Sequence, residues 1–577
     1  MFYCGNFEQV LIFGDKNMTI ADRFTTHIVE NQPTILAPYN LWSDDPLLRS
    51  LVCQYLPHSH QNDEALLVKY GALAGDTLMA HGELANKNKP ELHTFDRYGR
   101  RIDHVTFHPS YHALMESAMQ HNVHNYSWKH EGIDGAHTIR AALMYMHYQA
   151  EAGTSCPLTM THAAIPAMRH GEKLPAYYLD KTINGVYDPR SLPASQKHGL
   201  TIGMGMTEKQ GGSDVRRNTT TAAKQADGSY RVIGHKFFFS APMCDAHLIL
   251  AQAEGGLSCF LLPRFLENGE RNNVRIQRLK DKLGDWSNAS SEVEFQNATA
   301  YLIGQEGRGV PVIIEMVSLT RLDCMIGSSA LMRQSLVHAL HHVSHRDAFG
   351  KTLANQPLMQ NVLADLTIEC AAATALTLRV AKAVDSASRD QHEGAIARLA
   401  TAIGKYWICK RTPMFVNEAQ ECLGGIGYVE EHPMPRYYRQ APLNSIWEGS
   451  GNVQCLDVLR ALNKEPNVKE ALFKELYGQK GKNKHYDNHV TTLFDVLSNT
   501  QNMESRSRYL TEQMAIALQA CSLLSTCTSL DDNDALVDIT HAFCESRLSK
   551  AGGFALGTLP DTTPFEKIIA LGQISSD

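Results

Sequence analysis

Gly203-Met204-Gly205-Met206-Thr207-Glu208-Lys209-Gln210-Gly211-Gly212-Ser213-Asp214 stands where a helical pattern gives way to short runs rich in Val, Ile and Phe. Its glycines free the backbone and the hydroxyls of Thr207 and Ser213 flank it. Such a loop can aim N–H and O–H donors at a planar heterocycle and a phosphate. Taken alone, it also reads as a Gly-rich turn between a helix and a strand. Upstream, from about Asp44 to Ala152, Leu47, Leu48, Leu51 and Val52 fall at helix spacing, as do Leu114, Met115, Ala118 and Met119. Downstream lie Tyr230 to Ile233, Phe237 to Phe239, His247 to Ala251, Cys259 to Leu262 and Val274 to Ile276. Asp227-Gly228, Glu254-Gly255-Gly256 and Asn268-Gly269 separate them, which predicts a compact antiparallel β domain.

From Gly309 to about Asn463 amphipathic patterns return (Met325 to His345, Leu358 to Val384, Ala395 to Gly424), long enough for a helix bundle. Beyond Asn463 a lysine-rich lead-in precedes two more helical stretches, Met514 to Leu524 and Ala535 to Leu548. The divisions expected are an extension over 1–32, a helical domain over 33–198, the β domain over 199–305, the bundle over 306–463 and an additional helical C-terminal domain over 464–577. Such a count suits 577 residues at roughly 100–200 per domain.

Lys+Arg of 54 against Asp+Glu of 61 gives a net charge of −7, and 43% hydrophobic with 20% charged residues marks a folded globular chain. A basic nucleic-acid coat over the whole molecule is excluded. The 13 cysteines form no C-x-x-C pair, so neither a zinc ribbon nor a dithiol redox pair is indicated, and a reducing, cytoplasmic setting fits. No apolar run approaches the roughly 18 residues of a membrane helix, and the start lacks a basic region followed by an apolar core. Neither membrane insertion nor export is expected. Met18 offers a second start, which would make the first 17 residues an upstream extension.

Met206-Thr207-Glu208-x-x-x-Gly212-Ser213-Asp214 resembles the flavin-binding segment of the acyl-CoA dehydrogenase family, and further pieces match in order. Lys236-Phe237-Phe238-Phe239-Ser240 resembles the family strand Lys-x-Trp-Ile-Thr, which implies Phe238 and Ser240 beside the flavin and leaves Phe237 and Phe239 to core packing. Arg346-x-x-Phe349-Gly350 with Gln356 is similar to the element that reaches the FAD of a neighbouring subunit, Arg serving as a phosphate fork. Leu423-Gly424-Gly425-Ile426-Gly427-Tyr428 resembles the family's glycine turn against FAD. Ile446-Trp447-Glu448-Gly449-Ser450-Gly451-Asn452 resembles the segment whose Glu is the catalytic base. With Cys156 to Thr161 and Leu456 to Arg460, the chain most resembles the AidB-type branch (adaptive response, isovaleryl-CoA dehydrogenase-like).

The resemblance implies an α+β acyl-CoA dehydrogenase fold: helical N-terminal domain, central antiparallel β domain and helix bundle, plus the extra helical C-terminal domain. It implies FAD as cofactor, held by Met204, Met206, Thr207, Gly212, Ser213, Phe238, Ser240, Arg346, Phe349, Gln356, Gly424, Gly425, Ile446, Trp447, Gly449, Ser450 and Asn452. Acyl-CoA or a related thioester would be the substrate and an electron-transfer flavoprotein-type partner the acceptor, in a homotetramer. Removing an α-proton from so weak an acid needs a positioned base. Glu448, beside bulky Trp447, would sit in a partly desolvated pocket that raises its pKa. Some branches place the base before an Arg on an early bundle helix. Here that pair is Thr320-Arg321, and Thr cannot accept the proton, so Arg321 reads as support, with Asp323 as its expected ion-pair partner.

Two departures bear on this reading. Trp286 stands at an Arg position in Lys282-Leu283-Gly284-Asp285-Trp286-Ser287-Asn288, and Phe238 replaces Trp. An alternative is an AidB-type DNA-associated flavoprotein of the alkylation-damage response with vestigial dehydrogenation, and a third reading is a flavin enzyme using oxygen on a non-CoA substrate. From Lys464 to Asp577, however, 11 Lys+Arg face 15 Asp+Glu. Only the stretch Lys464 to Lys484 is basic, and near Gly552-Gly553 the chain has Lys550-Ala551 where the branch offers an Arg. Any DNA binding is therefore expected to be weak and non-specific, carried by Lys480, Lys482 and Lys484 with help from Arg460. His338, His341, His342 and His345 share one helix face without Asp, Glu or Cys there, which reads as a polar stripe and not a metal site.

Overall fold

The computed structural model describes residues 26–56, 61–499, 501–529, 534–549 and 551–575; Met1, Met18 and Lys550 lie outside them. The N-terminal third is helical, as the spacing of Leu47, Leu48, Leu51 and Val52 requires, and these four are all buried in helix Pro46–Cys53. One piece departs from the helical reading. Glu91–Phe95 and Arg101–Thr106 form an antiparallel hairpin, with Leu92 opposite Val105.

The β domain is a nearly closed barrel. Its strands run in the order Ile202–Gly205, Ala246–Ala253, Thr221–Lys224, Tyr230–Ser240, Ser290–Ile303 and Gly256–Pro263, and the ring closes because Ala246–Ala253 also pairs with Gly256–Pro263. Val274–Leu279 pairs with Ser290–Ile303 from outside the ring. The sheet is mixed, not wholly antiparallel: Ile202 lies opposite Ala246 and Gly205 opposite Ile249 in a parallel pairing. That pairing packs Gly205 against the Phe239 ring, where a Cβ would approach to 2.6 Å.

Tyr230 to Ser240 is one continuous strand with a register shift between Lys236 and Phe239. The shift inserts a residue, so both Lys236 and Phe239 turn inward while Phe238 between them is 49% exposed. The Lys236 ammonium meets the Glu208 carboxylate at 2.8 Å with both side chains fully buried. Burial opposes ionisation of Glu208, but Lys236 and the Thr219 and Thr220 donors overcome it and hold its pKa at about 2.

Three long helices, Gly309–His345, Pro357–Ser386 and Gln391–Glu421, form the bundle. Pro357–Ser386 is long and apolar enough to cross a bilayer by length and composition, which the run-length reading of the sequence did not register. In the fold, 89% of that apolar window is buried. Helices Pro466–Tyr477, Lys484–Ser498, Met503–Ser529, Asp534–Leu548 and Phe565–Gly572 follow, and their apolar faces share one core with the bundle. Polar ties cross the same seam. Arg379 donates to Glu475 (2.7 Å) and Trp407 Nε1 donates to Gln519 (3.1 Å).

Candidate active site

Helix Gly451–Lys464 is preceded by a tight segment in which Glu448 has φ +58° and Gly449 φ +94°. A left-handed Glu is uncommon and needs outside support. Three buried side chains supply it. Lys405 Nζ donates to the carbonyls of Trp447 (2.6 Å) and Gly449 (2.5 Å), and Arg321 Nε donates to the carbonyl of Glu448 (3.1 Å). Gln454 Nε2 reaches the carbonyls of Glu448 and Gly449, both at 3.0 Å. Trp447 is fixed from the other side by its indole N–H on Asn444 Oδ1 (2.9 Å). The backbone of this segment is thus clamped while the Glu448 side chain points at Thr320, whose hydroxyl lies 2.7 Å from Oε2.

Burial raises the Glu448 pKa, against the Thr320 hydrogen bond and the cations Lys405 and Arg321. Arg321 is anchored on Asp457 at 2.9 Å, and Arg398 and Arg460 share that carboxylate. Burial opposes ionisation of Asp457 too, but the guanidiniums of Arg398 and Arg321 hold its pKa below the usual range. Asp323, expected as the partner of Arg321, instead pairs with Arg140 and accepts from Thr159. Two residues apart on one helix, Arg321 and Asp323 point to different faces and cannot meet.

Other predicted residues gather near this point. Met204, Met206 and Trp447 pack into one apolar cluster with Met316 and Leu319, which joins the loop at 203–214 to the Thr320 turn. The backbone N–H of Phe237 donates to the Thr207 carbonyl (2.8 Å). That brings the Phe238 strand beside the Thr207 to Ser213 loop, with Gly212 against the Thr207 hydroxyl. Ser240 Oγ meets Ser290 Oγ at 3.2 Å. Phe239 is buried as core, but Phe237 is not. It lies partly exposed under the Lys280 ammonium, 3.2 Å from its ring centre, and Phe238 lies 4.6 Å from the same ammonium. Trp286, at the Arg position, is flanked by Lys89 and Arg439, each 4.0 Å from its ring. Two cations thus flank the Trp286 ring.

A second group stands apart. Arg346, Phe349 and Gln356 sit at the end of helix Gly309–His345, 26 residues beyond Thr320 and therefore about 39 Å along its axis. Arg346 Nη1 donates to the carbonyl of Asn31 (2.5 Å), Asn31 Oδ1 accepts from Asp347 N–H (2.7 Å), and Gln356 Nε2 donates to Ala348 O (3.0 Å). No carboxylate among the described residues pairs with Arg346, and Phe349 is 100% exposed. Gly424, at φ +61°, and Gly425 face open space, where a Cβ would meet nothing within 4 Å. Ile446 is exposed, Ser450 caps helix Gly451–Lys464 without a side-chain bond, and Asn452 Oδ1 accepts from Arg508 (3.2 Å). Lys405, Gln454 and Asn444 were missed in the sequence. The one signal was a lysine inside the apolar run Ala402-Ile403-Gly404-Lys405-Tyr406.

The histidine stripe splits up: His338 is buried against His432 and Tyr437, and His341 Nε2 donates to the Thr34 carbonyl (2.7 Å). Among the described residues no group of His, Cys, Asp and Glu is arranged to hold a metal.

Three families match in succession: the Adaptive response protein AidB N-terminal domain over residues 31–189, the acyl-CoA dehydrogenase middle domain over 203–298 and the acyl-CoA dehydrogenase C-terminal domain over 307–463. The chain is 45% identical to the putative acyl-CoA dehydrogenase AidB of Escherichia coli, over 92% of this chain and 96% of that one. It is 30% identical to acyl-CoA dehydrogenase family member 11 of Caenorhabditis elegans, over 84% and 82%. The crystal structure of Caenorhabditis elegans ACDH-11 in complex with C11-CoA superposes with a TM-score of 0.84 at 25% identity, covering 96% of this chain and 99% of that one. The clamped Glu448 and the loop at 203–214 therefore sit in a chain that belongs to the acyl-CoA dehydrogenase family.

Proposed function

We propose that this chain oxidises an acyl-CoA or related thioester between Cα and Cβ, with the Glu448 carboxylate taking the α-proton. The observation that carries the reading is the clamped, partly desolvated carboxylate with a raised pKa. A base whose pKa is lifted toward the working pH is matched to a weak carbon acid.

The family is FAD-dependent, and the residues fit that cofactor. Thr207, Ser213 and Ser240 offer hydroxyls, Phe238 an exposed aromatic face, and Arg346 a guanidinium with no carboxylate partner among the described residues. When bound, FAD supplies the two-electron acceptor. The chain's own work is to hold the thioester against Glu448, keep water from the Met204, Met206 and Trp447 wall, and store the abstracted proton on Oε2 against Thr320.

The helix length of about 39 Å from Thr320 to Arg346 supports cross-subunit sharing, since Arg346 lies too far along the helix to serve its own chain's Glu448. The exposed Phe349, Leu358 and Tyr428 support burial in a homo-oligomer, which we take to be a tetramer. An electron-transfer flavoprotein-type acceptor completes the reaction. All twelve cysteines within the described residues are free thiols, which supports a cytoplasmic setting. Participation in an alkylation-damage response rests on the likeness to AidB and on exposed Lys480, Lys482 and Lys484.

Anaerobic addition of CoA esters of graded length and branching tests the proposal. Bleaching of the oxidised-flavin absorbance with at least one ester is expected. A wild-type protein that stays oxidised with the whole panel overturns it and favours the DNA-associated or oxygen-using readings.

A further inference from the structure

Phe239, the buried neighbour of Phe238, lines a cavity of about 510 Å³ between the hairpin Glu91 to Thr106 and the barrel. A second cavity of about 240 Å³ adjoins it, and His104, Ser191, Met243 and Arg264 line both. None of the residues around Glu448 lines either. Most of the wall is apolar, from Phe239, Pro242, Leu262, Pro263, Val274 and Ile276.

The cations in this wall are not equivalent. Arg101 and Arg271 share the single carboxylate of Asp103, at 2.9 and 2.7 Å, so each of these guanidiniums has a carboxylate partner. Arg264 has no carboxylate at ion-pair distance among the described residues. Its Nη1 donates to the Met243 sulfur at 3.2 Å, its guanidinium carbon lies 5.1 Å from the Phe265 ring centre, and its buried Nε has no acceptor. The carboxylate of Asp245, whose charge reaches Arg264, is taken by the Lys197 ammonium and the Thr201 N–H (2.9 Å). Burial works against the charge on Arg264, with Asp245 a partial offset. His247 does not share the load, because it is stacked on Phe239 at 3.8 Å and burial holds its pKa at about 3. A guanidinium fork facing a largely apolar cavity without a carboxylate acceptor is a half-built ion pair. The space is of ligand size.

We propose that this cavity is a second ligand site that takes a monoanionic amphipathic molecule, a carboxylate on an aliphatic body, with Arg264 as the charged contact. Among the described residues Arg264 is the guanidinium of this wall that lacks a carboxylate partner, and its planar fork suits one carboxylate bidentately. The proposal does not rest on the thioester chemistry.

Calorimetric titration of the full-length protein with sodium octanoate tests it, with octan-1-ol as the neutral control. Saturable binding of octanoate, one per chain, and none of octanol is expected. Arg264→Met should weaken it by at least about tenfold and Arg264→Lys should recover part. Val274→Trp, which fills the cavity, should abolish it, while Arg101→Gln should leave it within about twofold because Arg101 is bound to Asp103. Absence of binding, or undiminished binding in Arg264→Met and Val274→Trp proteins, shows a water-filled void or binding in the Glu448 cluster and overturns the proposal. Should Arg264→Met not fold, the octanoate-to-octanol contrast and Arg264→Lys decide.

Discussion

The Thr320 hydroxyl lies 2.7 Å from Glu448 Oε2 and 3.0 Å from the Val317 carbonyl, so its single proton serves one of them at a time. With Glu448 ionised, the hydroxyl donates to the carboxylate. With Glu448 protonated, it can turn to Val317 and accept the carboxyl proton. Thr320 is thus the hydrogen-bond partner that can hold either protonation state of Glu448 in place.

Thr320→Val removes a donor that stabilises the ionised form, so the already raised Glu448 pKa should rise further. The acidic limb of the pH profile for flavin reduction should move up by about one unit, while Thr320→Ser leaves it in place. Stopped-flow bleaching across pH checks the shift.

Glu448→Gln should lower the rate of substrate-driven flavin bleaching by at least about 10²-fold, because the amide cannot take a proton. It should also change stability with a definite sign. The native pKa of Glu448 lies above its unfolded value, so its stabilising contribution is complete below the unfolded pKa and is lost as pH rises through the native one. The Gln protein lacks this loss, so its melting temperature should gain on wild type as pH rises from the unfolded carboxyl's pKa of about 4.3 through the raised native one. A constant gap would show that Glu448 is not desolvated.

Much of this arrangement is legible in the sequence, and the parts that are not share a cause. Glu448, its Trp447 neighbour and the loop at 203–214 are local words whose chemistry is carried by residue type and spacing. Partners set by tertiary contact are not local. Asp323 is two residues from Arg321 yet pairs with Arg140 on another helix, while Asp457, 136 residues away, holds Arg321. The parallel pairing of Ile202 with Ala246 leaves no mark on either strand's alternation. The hairpin at Glu91 to Thr106 does alternate, but its exposed positions include Glu91, His93, His104 and Thr106 and its inner ones Arg101 and Asp103, which dilutes the apolar signal between two helices. Lys405 looks like a snorkelling surface lysine until the fold places it 1% exposed under the Trp447 and Gly449 carbonyls.

Lys405→Met keeps the stem and removes both charge-assisted bonds, leaving two buried carbonyls without their donor. A loss of about 3 kcal/mol of stability is expected. Because the ammonium also favours the ionised Glu448, the acidic limb of the flavin-reduction profile should move up as well. Chemical denaturation reads the first effect and the pH series the second.

Phe349→Asp places a charge on a ring that is wholly exposed in the single chain. Where Phe349 is buried against a second copy, the assembly should fall to smaller species by light scattering and release FAD on gel filtration. Arg346→Ala should release FAD with the mass unchanged, since it removes a guanidinium fork and not an apolar contact. An unaltered FAD content in both proteins would place the cofactor's second wall elsewhere.

The final expectation concerns DNA. Lys480, Lys482 and Lys484 are exposed, but Lys480 lies over the Tyr477 ring at 5.0 Å and Lys482 donates to Gln479 at 2.6 Å. Arg460 is bonded to Asp457, which it shares with Arg321 and Arg398, so its contribution is smaller than the sequence implies. Three phosphate contacts give a salt slope near −2.7, so raising salt from about 50 to 150 mM should weaken duplex binding by about twentyfold. Changing the three lysines to Ala should remove the binding seen at low salt and flatten that slope. Tight binding at 150 mM, or a slope that survives the lysine changes, would place the DNA surface outside the stretch from Lys464 to Lys484.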